Sequence, residues 1–349
     1  MGSESRNRYL LKNTLIFTLG NIGSRMISFF LIPLYTNVLT TSQYGTVDLI
    51  TTISTVAGPM LTLNIAESVM RFGLDKDADK EKNTQCGSIV LLIAMIIGLV
   101  LIPICRCITE VSDYAMYVYF YVISLSASQL FLCDLRGKEL LLKYSLGNIL
   151  QTLMIAILNI TFLLVFKMET GGYLLAYIIA NFIVAIYAII AGKGYKAFSF
   201  HNIDRCKLKE MIRYSIVLIP NTFMWWIMNS SDRVMVTYMI GAAANGIYAV
   251  SYKLPTLVST LTGIFNQAWS YSAIREEGTS DETEYNNKMF KTLSAIAFMM
   301  GIGLLLLTKP FLGVYVADSY YDAWKYTPFL IIGCVYLTLG TFMATSYTV

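Results

Sequence analysis

Six ionisable side chains lie inside stretches that are otherwise apolar: Arg25, Asp48, Glu67, Asp232, Arg233 and Lys253. A charge at the centre of a hydrocarbon layer costs about 2.5 to 3.5 kcal/mol on insertion scales, so such groups mark binding sites, relays or held ion pairs. Arginine offers a planar fork to a phosphate and lysine a point charge, which makes Arg25, Arg233 and Lys253 candidates for holding an anion. Against Asp48 and Asp232 these three bases leave a surplus of one positive charge. Asp232 and Arg233 are neighbours pointing about 100° apart on a helix, so each has to look to a different helix. A structural salt bridge such as Asp232 to Lys253 is the competing reading. Trp225 and Trp226 lie near mid-depth, where they are either stacking surfaces for a cyclic ligand or packing between helices. Asn229, Asn266 and Gln267 are hydrogen-bonding groups for a polar ligand or, equally, glue between helices.

Other chemistries find no support. There is no G-x-x-x-x-G-K-[ST] phosphate loop and no nucleophile, base and orienter constellation. The six cysteines include no C-x-x-C, the single histidine is His201, and no metal site is expected. Asp75, Asp77 and Asp79 form a D-x-D-x-D run, but Lys80 and Cys86 stand where a calcium loop needs Gly and Glu. A solvated loop is the expected role of that run.

The elements that position these residues are membrane helices. Hydrophobic residues make up 56% of 349 positions, against 14% charged, where a soluble domain has about a quarter charged. Apolar runs long enough to span the bilayer occur near 13–38, 46–71, 86–105, 114–134, 144–166, 172–192, 213–240, 246–271, 290–312 and 326–349. The first is too long for a signal-peptide core and is expected to remain as a helix. With the N-terminus in the cytoplasm, nineteen of the 26 lysines and arginines fall in cytoplasmic tails and loops and four in outer loops. This asymmetry supports both the count of ten and the orientation. Glu67 and Arg71, four apart near a cytoplasmic end, are expected to pair. Trp269 and Trp324 fit an interfacial aromatic belt.

An offset of 201 residues aligns the start of segment 1 with that of segment 7 and places Gly45 on Gly246. Six helices per unit makes this a parallel repeat, as in many transporters. The expected division is a six-helix lobe over 1–200 and a second lobe over 201–349, with a basic linker over 192–212 that is either an amphipathic segment lying at the membrane surface or, equally, a loop whose charges simply orient the chain. The second unit reaches four helices, so the chain is expected to be incomplete at its C-terminal end relative to a 6+6 design; ten helices as the natural number is the alternative. Pro33, Pro59, Pro220 and Pro255 fall one to each of segments 1, 2, 7 and 8, which also carry all the internal charges. Interrupted helices at matching positions of two repeats point to a central cavity lined by these four.

Asp232-Arg233 followed by Gly246-Ile247-Tyr248 and Ser251-Tyr252-Lys253 resembles the DR...GxY...K pattern of the Wzx-type polysaccharide flippases, in the MATE-like superfamily. Leu31-Ile32-Pro33-Leu34-Tyr35, Tyr44-Gly45 and Arg71-Phe72 support the likeness, which runs over essentially the whole chain. The resemblance implies an all-α polytopic membrane protein whose lobes open alternately to the two faces of a bacterial or archaeal plasma membrane. It implies a polyprenyl-pyrophosphate-linked oligosaccharide as cargo; the candidate site residues are Asp232, Arg233 and Lys253 of the pattern together with Arg25, Asp48, Trp225, Trp226 and Asn229 from the reading of charge and depth. Partners would be this lipid-linked sugar, the bilayer and other polysaccharide assembly proteins, with no nucleic acid. No cofactor is expected, and a coupling ion, H⁺ or Na⁺, is left unidentified. A cation-coupled drug exporter is the closest alternative, but segment 1 carries Arg25 and no acid, and a positive cavity repels cationic drugs. A membrane-embedded enzyme of the same pathway would need a larger loop or domain than is present, and a non-transporting scaffold is the fourth reading.

Overall fold

The computed structural model describes residues 27–75, 77–105, 112–198, 204–276 and 282–346; Arg25 and His201 lie outside them. The helices are α1 (Ile32–Val38), α2 (Thr41–Leu61), α3 (Ile65–Gly73), α4 (Lys80–Cys105), α5 (Ala115–Gly137), α6 (Leu141–Ile160, continued by a π-helical turn to Val165) and α7 (Glu169–Ala191). They continue as α8 (Arg205–Met239), α9 (Ala242–Ser251), α10 (Lys253–Glu276), α11 (Glu282–Tyr315) and α12 (Thr327–Ser346). A 3₁₀ segment, Asp318–Lys325, joins the last two. No strand occurs among the described residues. Helix lies at all ten positions expected from the apolar runs. Six helices are long and apolar enough to cross a membrane, and α2 with α3 makes a seventh, bent by 60°. Among the described residues, α8 and the α9–α10 pair are outside that set. These are the helices carrying Asp232, Arg233 and Lys253.

The breaks follow from the sequence. Proline has no N–H and displaces the carbonyl four residues earlier, so a helix containing it loses one rung. After Pro59, Leu63 and Asn64 adopt left-handed backbone (φ 52° and 55°) and α3 leaves at its new angle. Pro255 likewise leaves the Ser251 carbonyl without an intrahelical donor, and the Thr327 hydroxyl supplies one at 3.3 Å. Pro33 starts α1, whereas Pro220 lies within a continuous α8.

The N-terminal helices pack around α5, with Ile65, Val69, Leu130, Phe131, Leu135, Val184 and Ala188 in one core. Helices α10, α11 and α12 form a separate bundle around Trp269, Leu293 and Phe342 and around Val258, Ala297 and Val335. The two groups merge only toward the end bearing Leu39 and Gly241. There Ile32, Tyr35, Tyr44, Val47 and Ile50 share a core with Val250, Leu254, Leu312 and Tyr320. Tyr320 donates to the Leu39 carbonyl, Tyr315 to that of Phe29, and the Ala317 N–H to Thr36 Oγ1. Beyond Leu257, α10 packs on α11 and α12.

Where α2 crosses α9 the backbones touch. A Cβ on Gly45 would sit 1.8 Å from the Ala242 carbonyl oxygen, and one on Gly246 would sit 2.0 Å from that of Thr41. Thr41 and Ala242 are separated by the same 201 positions as Gly45 and Gly246, so the contact is reciprocal.

Three expectations are corrected. The part of the linker after Asp204 is not a surface helix: it is the first turns of α8, and Met211 is fully buried, with its carbonyl accepting from the Ser68 hydroxyl. The buried apolar stripe of Leu208, Met211 and Ile212 is satisfied by the N-terminal helices instead of by lipid. Arg71 pairs with Asp75 at 2.6 Å, not with Glu67, because the loop turns Asp75 back onto the guanidinium. Trp269 is buried against Phe342, with ring centroids 4.0 Å apart, so packing within the bundle removes it from the interfacial belt.

Candidate anion-binding site

Thr40 and Gln43 form a reciprocal capping box, each side chain bonding the other's backbone N–H, which sets the start of α2. Two turns on, Asp48 is buried at 7% exposure and faces α8. Arg233 Nη1 donates to Asp48 Oδ1 at 2.7 Å. Asn245 Nδ2 donates to the Gly45 carbonyl at 2.9 Å and approaches Asp48 Oδ2 at 3.4 Å. The guanidinium lies over the Tyr252 ring, 5.2 Å from its centroid. Its Nε is buried and has no hydrogen-bond partner among the described residues.

Asp232 turns the other way, as adjacent helical positions require. It accepts from the Tyr248 hydroxyl and, at 2.9 Å, from the Arg233 N–H. The competing reading, a salt bridge from Asp232 to Lys253, is not what the structure shows: Asp232 takes a phenol on α9, and the ion pair that does form is Asp48 with Arg233. Lys253 sits at the break between α9 and α10, half-buried, with no ion pair or side-chain hydrogen bond among the described residues. Asp48 and Arg233 are both within its electrostatic reach, the first attracting and the second repelling it. The four charges balance by count but not by contact, since among the described residues neither Lys253 nor Asp232 touches an opposite charge.

The remaining candidates do not converge here. Trp226 donates from Nε1 to the Thr52 carbonyl at 2.9 Å and stacks on Phe223, which makes it a clamp between α8 and α2. Trp225 is 53% exposed. Asn229 donates to the Trp225 carbonyl one turn back in its own helix, which uses its amide locally. Asn245 was not among the residues singled out from the sequence. The 201-residue offset could have found it: segments flanking Gly45 and Gly246 face each other, so a polar residue beside Gly246 lies over one beside Gly45. Among the described residues no group of three His, Cys, Asp or Glu side chains could hold a metal ion.

Among the described residues an all-α scaffold, six long apolar helices and a bent second helix define a polytopic membrane protein, and its family and fold place it in the transporter class. Solved structures sharing this fold include a multidrug resistance MATE family transporter of the MOP superfamily in its outward-facing conformation (14% identity, 96% of this chain and 80% of that one, TM-score 0.61). Another is the MATE transporter VcmN of Vibrio cholerae in a mutant form (14% identity, 99% and 85%, TM-score 0.59). A third is a MOP superfamily transporter of Pyrococcus furiosus described as having a binding pocket of reversed polarity (13% identity, 96% and 83%, TM-score 0.54). No curated protein matches the sequence. The family model described as "polysaccharide biosynthesis protein" matches residues 10–274, and the chain belongs to that family, the Wzx-type flippases with a MATE-like fold.

Proposed function

We propose that this protein moves a polyprenyl-pyrophosphate-linked oligosaccharide from the inner to the outer leaflet of a bacterial or archaeal plasma membrane, for assembly of surface polysaccharide. The observation that carries the reading is Lys253: an ammonium group without a counter-ion contact among the described residues, at the break between α9 and α10 in a membrane protein of the polysaccharide biosynthesis family. A lone cation there is costly unless water or an anionic ligand reaches it. Arg25 would be its counterpart from segment 1. The cargo's sugar would extend away from the diphosphate between the two helix groups.

The lobes would be residues 1–200 and 201–349, moving against each other by alternating access. On the orientation given by the basic loops, the end at Leu39 and Gly241 faces outside. The hydrogen bonds of Tyr315, Tyr320 and Ala317 then close the outer side, and the separation of α10 from the N-terminal helices opens toward the cytoplasm. No organic cofactor takes part, and H⁺ or Na⁺ would supply any coupling.

The test is replacement of Lys253 by Ala, by Arg and by Glu in cells whose surface polysaccharide depends on this protein, with membrane insertion checked by immunoblotting. Loss of surface polymer and build-up of the lipid-linked precursor in the Ala and Glu variants, with partial rescue by Arg, is expected. Normal polymer in the inserted Glu variant would remove the anion-binding reading.

A further inference from the structure

We propose that Asp48 is an internal stand-in for the cargo's diphosphate: it occupies Arg233 in the empty protein, and the incoming diphosphate displaces it and thereby releases the seam between the two helix groups. The inference rests on the anionic cargo proposed above and adds how that cargo is sensed.

Three observations point to exchange rather than to a permanent ion pair. Asp48 engages Arg233 through a single Nη1, leaving the guanidinium Nε buried without a partner among the described residues. Arginine pairs with carboxylate and phosphate alike are frequently bidentate; here the Nε arm is unengaged, and a tetrahedral phosphate could take it together with Nη once the guanidinium turns from Asp48. Lys253 follows Tyr252, the residue whose ring lies under the Arg233 guanidinium, and it touches no carboxylate among the described residues. Two linked phosphates would answer both cations at once, whereas Asp48 can answer one. Asp48 also keeps a second claim on it, the Asn245 amide, which can retain the carboxylate once Arg233 turns away.

The exchange bears on the seam because Asp48 belongs to α2 and Arg233 to α8, and the same end is closed by the Ala317 N–H on Thr36. Losing the ion pair removes the one salt bridge that joins α2 to α8 among the described residues, beside the α9 and α10 residues that share the core at this end. Lys253 attracts the ligand, Arg233 is handed from protein to ligand, and Asp48 sets how tightly the empty protein is latched. An affinity lowered by the latched fraction follows directly from that competition.

The experiment uses the full chain in lipid nanodiscs with inorganic pyrophosphate as probe, at matched ionic strength. A Thr36→Cys, Ala317→Cys pair reports seam closure by its rate of disulfide formation, with each single-cysteine variant as background. Pyrophosphate should bind and slow crosslinking several-fold. Lys253→Ala in the paired background should weaken binding and abolish the slowing, while Asp48→Asn should bind about tenfold more tightly, as expected when a latched majority is released. The wild-type crosslinking arm decides the matter even where Asp48→Asn folds poorly. Pyrophosphate binding that leaves the crosslinking rate unchanged, or an unchanged affinity in folded Asp48→Asn, overturns the exchange while sparing the anionic-cargo reading. Absence of pyrophosphate binding overturns both.

Discussion

Arg233 and Asp48, 185 positions apart in the chain, meet at 2.7 Å and join the eighth helix to the second. Among the described residues neither has another opposite charge in contact, so there each depends on the other for its place in a low-dielectric setting.

Removing one member of this pair should be far more harmful than removing both. Asp48→Ala strands the guanidinium and is expected to cost about 3 to 5 kcal/mol, as for other broken buried pairs, whereas Asp48→Ala with Arg233→Met should lose markedly less. Thermal unfolding of the purified variants in one detergent makes the comparison; equal losses would show that the pair is solvated.

Lys253 should behave in the opposite sense. An ammonium without an ion pair among the described residues has none to lose, and Met keeps the packing of the lysine stem, so Lys253→Met is expected to match or exceed the parent's thermal stability while losing polysaccharide export. A Met variant that unfolds well below the parent would mean that Lys253 has a structural partner in the folded state.

Gly45 and Gly246 should each refuse a methyl group. The clashing atoms are backbone carbonyl oxygens, which no rotamer change can move aside. Gly45→Ala and Gly246→Ala are each expected to cost about 1 to 3 kcal/mol or more, the range for overpacked cores. Gly263, with no atom near its virtual Cβ, is the control, and Gly263→Ala should leave the melting temperature close to that of the parent.

Trp226 and Trp225 should separate cleanly although they are adjacent. Trp226→Phe removes a hydrogen bond to the Thr52 carbonyl and is expected to cost about 1 kcal/mol. Trp225→Phe should change stability little, because that side chain is more than half exposed. A ranking in reverse by chemical or thermal denaturation would contradict the clamp role of Trp226.

Much of the architecture was legible before any coordinates. Long apolar runs dictate membrane helices because every backbone polar group must be satisfied within the lipid, and the basic loops orient them. The prolines announced two of the breaks, after Pro59 and at Pro255, since a missing N–H acts locally; Pro220 shows the limit, because neighbouring helices can hold α8 continuous. The repeat offset indicated that Gly45 and Gly246 are equivalent, and the fold brings these two positions into contact.

Sequence alone therefore determined which residues are costly in a membrane: Asp48, Asp232, Arg233 and Lys253 carry charge wherever the chain goes. It also determined that neighbours on one helix cannot share a partner. Only the tertiary structure decided who pairs with whom. Asp232 went to the Tyr248 phenol, Arg233 to Asp48 and Lys253 to no carboxylate among the described residues, because pairing depends on the crossing of α2 with α9 and α8, where the two glycines set the distance. That distance is a property of two helices packed together, which local propensity and spacing along one chain do not contain.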